Sequence, residues 1–161
     1  MATIRARPSF AFSQPAHFIA LGFGAGLSPF APGTAGTLLA WAFGWALAML
    51  LSPAAMLALA GVLFLAGVWA CEVTGRHLGV PDHGAMVWDE IAAFLMVLAI
   101  VPREAAWQAA AFVLFRLFDI AKPPPIRYFE RRYGGGFGVM FDDLVAAGYT
   151  VLVLALIRRV Y

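Results

Sequence analysis

The chain has 161 residues, 63% of them hydrophobic, with a mean hydropathy of +0.84 and only 12% charged residues. That composition excludes an ordinary water-soluble domain and makes an all-α, polytopic helical membrane bundle the expected fold. Eleven Lys and Arg against nine Asp and Glu leave a net charge of +2 without a basic stripe, which argues against nucleic acid as a partner; the single cysteine excludes an internal disulfide or a cysteine-only metal site.

Residues 1–15 read as a cytoplasmic N-terminal segment carrying Arg5 and Arg7. They make a poor secretory leader, because the apolar stretch that follows is broken by glycines and prolines and has no clean small-residue cleavage site. From Pro8 to Cys71 there is no Asp, Glu, Lys or Arg. Residues 16–27 suit a short helix at the membrane interface, ended by the Gly/Pro segment that reaches Gly33. Spans are expected at 35–51 and 54–71, turned by Ser52-Pro53-Ala54, with proline tolerated in a first helical turn and Glu72 marking the exit. Three further helices are expected at 88–101, 104–118 and 143–157, the last ending in Arg158-Arg159. Each has about 14–15 apolar residues, short of the roughly 20 needed for a full crossing. About four or five spanning or partly inserted helices result, within one membrane domain over 16–157 and a short tail over 158–161.

Helices of alternating direction place Arg5, Arg7, Arg76, Lys122, Arg127, Arg131 and Arg132 on one face, with the turns at Ser52-Pro53 and Pro102-Arg103-Glu104 on the other. The positive-inside bias makes the first face cytoplasmic, so both acidic pairs are expected at the cytoplasmic edge of the membrane. Arg158 and Arg159 fall on the wrong side unless the last helix stays shallow.

Two adjacent acidic pairs, Asp89-Glu90 and Asp142-Asp143, stand at the heads of apolar runs. Helix capping explains one acid at a time, but four carboxylates in an apolar setting point to a cation or a reaction. Hard oxygen ligands without a histidine- or cysteine-rich set favour Mg²⁺ over zinc, and Asp82 and Asp119 are further candidate ligands. His83 is a candidate to orient water, bind phosphate or move a proton, or else a loop histidine capping the helix expected at 88–101. Arg116 and Lys122 are candidates to hold an anionic group, although Arg116 and Asp119 at i,i+3 also suit a local ion pair. Ser28, Thr34 and Thr37 lie in a Gly/Pro-rich segment leading into a helix, where hydroxyls and free N–H groups suit phosphate or a capped turn equally. The glycines of Gly134-Gly135-Gly136-Phe137-Gly138 are expected to fold the backbone tightly beneath Asp142-Asp143.

Four stretches, in order, resemble the phosphatidylglycerophosphatase A family of bacterial membrane lipid phosphatases. They are Gly22-Phe23-Gly24-Ala25-Gly26-Leu27-Ser28-Pro29 with Pro32-Gly33-Thr34; Asp82-His83-Gly84 with Val87-Trp88-Asp89-Glu90; Phe115-Arg116-Leu117-Phe118-Asp119-Ile120 with Lys122-Pro123; and Gly135-Gly136-Phe137-Gly138-Val139-Met140 with Asp142-Asp143. The resemblance implies a Mg²⁺-dependent phosphatase converting phosphatidylglycerophosphate to phosphatidylglycerol and inorganic phosphate, with an anionic glycerophospholipid and the bilayer as its partners. It maps Asp89, Glu90, Asp142 and Asp143 onto the family's acidic motif, with Asp82 and Asp119 as further matched acids. The chain departs from familiar members at Gly134, where histidine is common, and at Pro124, where tryptophan is common.

The rival reading is a cation carrier or channel using the same carboxylates, whose acids would line a continuous pore. A phosphotransferase of the CDP-alcohol type is disfavoured, since its spaced Asp-Gly and Ala-Arg pattern is absent. Small-residue contacts permit a homo-oligomer but equally pack helices within one chain.

Overall fold

The computed structural model describes residues 6–160, except for the side chains of Glu130 and Arg131; Arg5 and Tyr161 lie outside the described residues. Short helices α1 (Pro8–Ala11) and α2 (Pro15–Ala20) and a 3-10 segment (Gly22–Leu27) precede the long helix α3 (Pro32–Leu50). There follow α4 (Pro53–Leu78), α5 (Trp88–Ile100), α6 (Ala105–Ala121), the short α7 (Ile126–Arg132) and α8 (Gly135–Val160). No strand occurs among the described residues. Three helices, α3, α4 and α8, are long and apolar enough to cross a membrane.

The α3–α4 hairpin forms as its residues dictate. Ser52 caps α4 by accepting a hydrogen bond from the Ala55 N–H at 3.2 Å, and Pro53 occupies the first turn, where it removes no helical hydrogen bond. The helix does not stop at Glu72, however. It runs to Leu78 because Glu72 pairs with Arg76 one turn on, and the chain then turns at Gly79 with its N–H bonded to the Arg76 carbonyl. Cys71 is accordingly buried in a helix interior rather than at its end.

α5 is the hub of the bundle, packed against α3, α4, α6 and α8. All its residues except Met96 and Ile100 are buried, as an all-round apolar helix requires. At about 1.5 Å per residue it spans about 20 Å, half the length of α4 or α8. Its shortness therefore reflects burial inside the bundle, and its first turn sits below the ends of its neighbours.

The sequence reading starts the last helix at 143, but α8 begins at Gly135 and runs 26 residues. A glycine cluster normally signals a break; here it is a packing surface. A Cβ at Gly136 would overlap the Val68 carbonyl of α4, and Gly135 takes φ +67 directly beneath the Glu72 carboxylate. Glu72 then accepts the Gly136 N–H at 2.7 Å, one of the free donors of the α8 N-terminus. Nor is α8 shallow: Arg158 reaches the end of the bundle and shares a cavity with Pro53, Pro102, Arg103 and Glu104. The last two arginines thus stay with Arg103, at the end opposite Arg76, Lys122 and Arg127.

Candidate active site

Alternating helix directions bring the N-terminal parts of α3, α5 and α8 and the C-terminal parts of α4 and α6 to one end. Asp89 and Glu90 occupy the first turn of α5, where the helix N-terminus favours negative charge. Asp142 and Asp143 lie about two turns inside α8, so no helix end accounts for them. All four are buried.

Asp89, Glu90 and Asp143 each offer a carboxylate oxygen, and these oxygens lie within 4.8 Å of one another. Asp89 Oδ1, Glu90 Oε2 and Asp143 Oδ2 are buried without a hydrogen-bond partner. Asp89 is also in hydrogen-bond contact with Glu90, and Asp143 with Asp119 of α6, so carboxyl groups face carboxyl groups. Such an arrangement needs a proton or a cation between the oxygens.

Two basic side chains enter from α6 and its end. Arg116 pairs with Asp119 at 2.6 Å and reaches Glu90 Oε1 and the Thr37 hydroxyl, each at 3.5 Å, while its Nε is buried without a partner. Both alternatives for Arg116 are therefore present at once, the local pair and the contact across helices. Lys122, the residue capping α6, adopts a left-handed conformation with φ 42 and places Nζ 2.6 Å from Asp142 Oδ2. A non-glycine residue in that region is strained, and the ion pair holds it there. The other Asp142 oxygen accepts the Asp143 N–H at 3.0 Å. Among the described residues, five carboxylates (Asp89, Glu90, Asp119, Asp142, Asp143) thus face two cations, which leaves an excess of negative charge at a largely buried site. Hard oxygen donors with unpartnered lone pairs fit a metal ion.

The remaining candidates lie around this centre. Thr37 is buried in the second turn of α3, donating to the Gly33 carbonyl at 2.9 Å, so it presents a hydroxyl oxygen to Arg116 rather than a free helix end. Thr34 is half-buried in the first turn of the same helix. A Cβ at Gly33 would overlap both Glu90 and Arg116, so α3 approaches the centre with bare backbone. Ser28 donates to Phe30 O at 2.8 Å and closes its own turn. Asp82 is exposed on the loop before α5 and acts electrostatically on Asp142. His83 Nδ1 accepts the Ala85 N–H at 3.1 Å, which fixes its ring.

Two features of this end had no signal in the sequence. One is the Glu72 cap on α8, between residues 64 positions apart. The other is a pair of histidines: His17 Nε2 of α2 lies 2.8 Å from His77 Nδ1 of α4, and the His17 ring stacks on Phe10 at 4.0 Å. Burial pushes the His17 imidazole below the ordinary histidine value. No local spacing rule connects such distant positions.

Residues 18–158 match the family model described as phosphatidylglycerophosphatase A, a stretch that contains every residue of the acidic centre. The chain belongs to the phosphatidylglycerophosphatase A family. It is 46% identical over 146 residues to the phosphatidylglycerophosphatase A of Haemophilus influenzae, covering 90% of each chain. With the protein of that name from Escherichia coli it shares 43% over 143 residues, covering 88% of this chain and 82% of the other. A Bacteroides thetaiotaomicron protein provisionally named a phosphatidylinositol-3-phosphatase is 42% identical over 161 residues, covering 96% and 98%. No solved structure matches. Membership of this family makes the chain a phosphatase of lipid metabolism, and its three long apolar helices place it at a membrane.

Proposed function

We propose that this chain hydrolyses the terminal phosphate monoester of phosphatidylglycerophosphate, releasing phosphatidylglycerol and inorganic phosphate, with Mg²⁺ held by Asp89, Glu90 and Asp143. The observation that carries the reading is the unpartnered carboxylate trio within an excess of negative charge at a largely buried site. A phosphate monoester is itself an anion, and such a site repels it until cations neutralise the carboxylates. When bound, Mg²⁺ supplies that neutralisation, polarises phosphoryl oxygens and lowers the pKa of a coordinated water. Asp119 and Asp142, with Asp82 at the rim, are positioned to support the same ion or a second one.

Arg116 and Lys122 do the rest of the charge work. The guanidinium lies between Asp119, Glu90 and Thr37, and the ammonium rests on Asp142, so both face the place where phosphoryl oxygens would sit. Hydrolysis transfers the water's hydroxyl to phosphorus and its proton, through the site, to the departing glycerol oxygen. With its Nδ1 accepting a backbone N–H, the neutral His83 ring carries its proton on Nε2. His83 Nε2 is thus a donor in that tautomer, which leaves the proton-accepting role to a carboxylate. Asp89, Glu90, Asp142 and Asp143 remain the acids whose loss should abolish turnover.

A cation channel fits less well. Beyond the acids, α5 is buried apolar residue by residue from Ile91 to Leu95 and offers no polar path along the bundle. The names of the relatives share a phosphate monoester on a glycerophospholipid headgroup, so the head alcohol is the open specificity question.

The decisive assay is phosphate release by the purified chain from phosphatidylglycerophosphate and from phosphatidylinositol 3-phosphate, with Mg²⁺ or with chelator. Metal-dependent release, faster from the first lipid, is expected; Mg²⁺ flux in liposomes without phosphate release from any lipid phosphate would instead support the channel. We place the site on the cytoplasmic face of a bacterial inner membrane, because Arg7, Arg76, Lys122, Arg127 and Arg132 lie at the site end against Arg103, Arg158 and Arg159 at the other. Gly84 and Gly134 have open space where a side chain would be added, so single cysteines there, in a Cys71→Ser background, should label from the cytoplasm and one at Arg103 from outside.

A further inference from the structure

A lipid substrate has to bring its headgroup to carboxylates recessed below the ends of α4 and α8 while its chains remain in the bilayer. Around α5, helices α4, α8 and α6 pack against one another in sequence and close that side. The seam between α3 and α4 is filled at the site end by α2 and the 3-10 segment, where Phe23 stacks edge-on against Trp88 of α5 at 5.2 Å and lies 6.4 Å from Phe43 of α3. Among the described residues no comparable element covers the seam between α3 and α6, and the backbones of these two helices do not pack closely. At the level of the site they are joined only by the long 3.5 Å contact from Arg116 to Thr37 among the hydrogen bonds described.

Moving away from the site along this seam, Trp41 stacks on Phe112 at 5.5 Å and donates to Gln108 at 2.8 Å. Alongside that bridge the surface opens into a groove of about 400 Å³, lined by Leu38, Trp41, Ala42, Trp45, Ala105 and Gln108. It begins one residue along α3 from Thr37, and its walls are almost wholly apolar. Charge at one end and hydrocarbon surface at the other match a single amphiphile lying along the seam.

Resting on the phosphatase reading above, we propose that the α3–α6 seam is the lateral access route of the lipid, and that the groove holds one acyl chain of the substrate while its phosphate reaches Arg116. The groove thereby contributes to substrate affinity through the chain, whereas the chemistry at the acids depends on the headgroup alone.

The test uses the full-length chain in mixed micelles with two substrates, long-chain phosphatidylglycerophosphate and its deacylated, water-soluble headgroup. Ala42→Trp and Ala105→Phe fill the groove, and Val62→Trp on the exposed face of α4 is the control. The groove variants should raise KM for the long-chain lipid about tenfold with kcat little changed, and leave kcat/KM for the deacylated substrate as in wild type. Unchanged KM for the lipid in the folded variants, or an equal loss on both substrates, would overturn the proposal.

A second measurement does not depend on those variants folding. A non-hydrolysable phosphonate analogue with a photoactivatable acyl chain should label wild-type residues 38–45 and 105–108, and unlabelled analogue should compete. Labelling spread equally over the exposed face of α4 would mean bulk lipid only and would sink the idea. If wild type releases phosphate from neither substrate, the functional reading fails instead, and the labelling pattern still decides the groove.

Discussion

The two ends of the bundle use the same residue types to opposite effect. At the end formed by Ser52-Pro53 and Pro102-Arg103-Glu104, charged side chains stand in the open: Arg103 is exposed and makes one 3.2 Å hydrogen bond to the Leu51 carbonyl. At the other end Asp89, Glu90, Asp142 and Asp143 are buried, three of them with an oxygen that has no partner. Hydrated charges at helix ends contribute little, whereas buried ones must be neutralised or must react. Depth, not composition, separates a helix end from a reaction centre.

The largest effect expected at the buried end is from Asp143→Asn. Phosphate release should fall by about a thousandfold or more, because an oxygen of the carboxylate trio becomes a weakly ligating amide. Its thermal unfolding temperature in detergent should hold or rise, since one of several crowded negative charges is gone. A variant that keeps turnover would remove Asp143 from the centre.

Next comes Arg116→Lys, for which a loss of about ten- to a hundredfold in kcat/KM is expected, since Nη1 alone makes the contacts to Thr37, Glu90 and Asp119 and an ammonium has no second nitrogen to offer a phosphoryl oxygen. Full activity in the lysine variant would reduce Arg116 to a point charge.

Gly136→Val probes the support beneath the acids rather than the acids themselves. The added side chain meets the Val68 carbonyl and Glu72, so stability should drop by about 1–3 kcal/mol in a thermal or denaturant series. An unchanged midpoint would show that α8 does not need its close approach to α4.

A weaker effect should follow acidification near the same end. His17 Nδ1 donates to the Phe10 carbonyl, so its Nε2 accepts from His77, and burial holds its pKa below 6.5. The undocked segment therefore takes up the proton first, and docking of α2 is favoured at neutral pH and lost progressively as pH falls below 6.5. Hydrogen-exchange protection factors of residues 8–20, taken relative to the intrinsic exchange rate at each pH, should fall between pH 7 and pH 5.5, and His17→Gln should flatten that dependence.

The smallest change belongs to the exposed end, where Arg103→Ala should alter stability by no more than about 0.5 kcal/mol and leave kcat/KM as in wild type. A large loss there would erase the contrast between the two ends.

Much of this was legible from local rules. The Ser52-Pro53 hairpin, the first-turn position of Asp89 and Glu90 and the stop at Pro102 all follow from caps and prolines, which act within a few residues. The reading went astray where a distant partner overrode a local signal. The glycine cluster at 134–138 looked like a loop, yet contact with α4 accompanies a helix that already begins at Gly135; Glu72 looked like a membrane exit, yet it caps that same helix. The short helix α7, directly after the three prolines that precede Ile126, went unforeseen.

The amino-acid sequence alone determined the class of fold, the family and the residue types of the centre, because hydropathy, chain order and motif identity are properties of neighbours along the chain. Only the tertiary structure decided that Asp143 joins Asp89 and Glu90, that Asp142 stands with Lys122, and that Arg116 spans three helices. The physical reason is that α5 is half the length of α4 and α8 and packed on all sides, which lowers one acidic pair to the depth at which α8 carries the other.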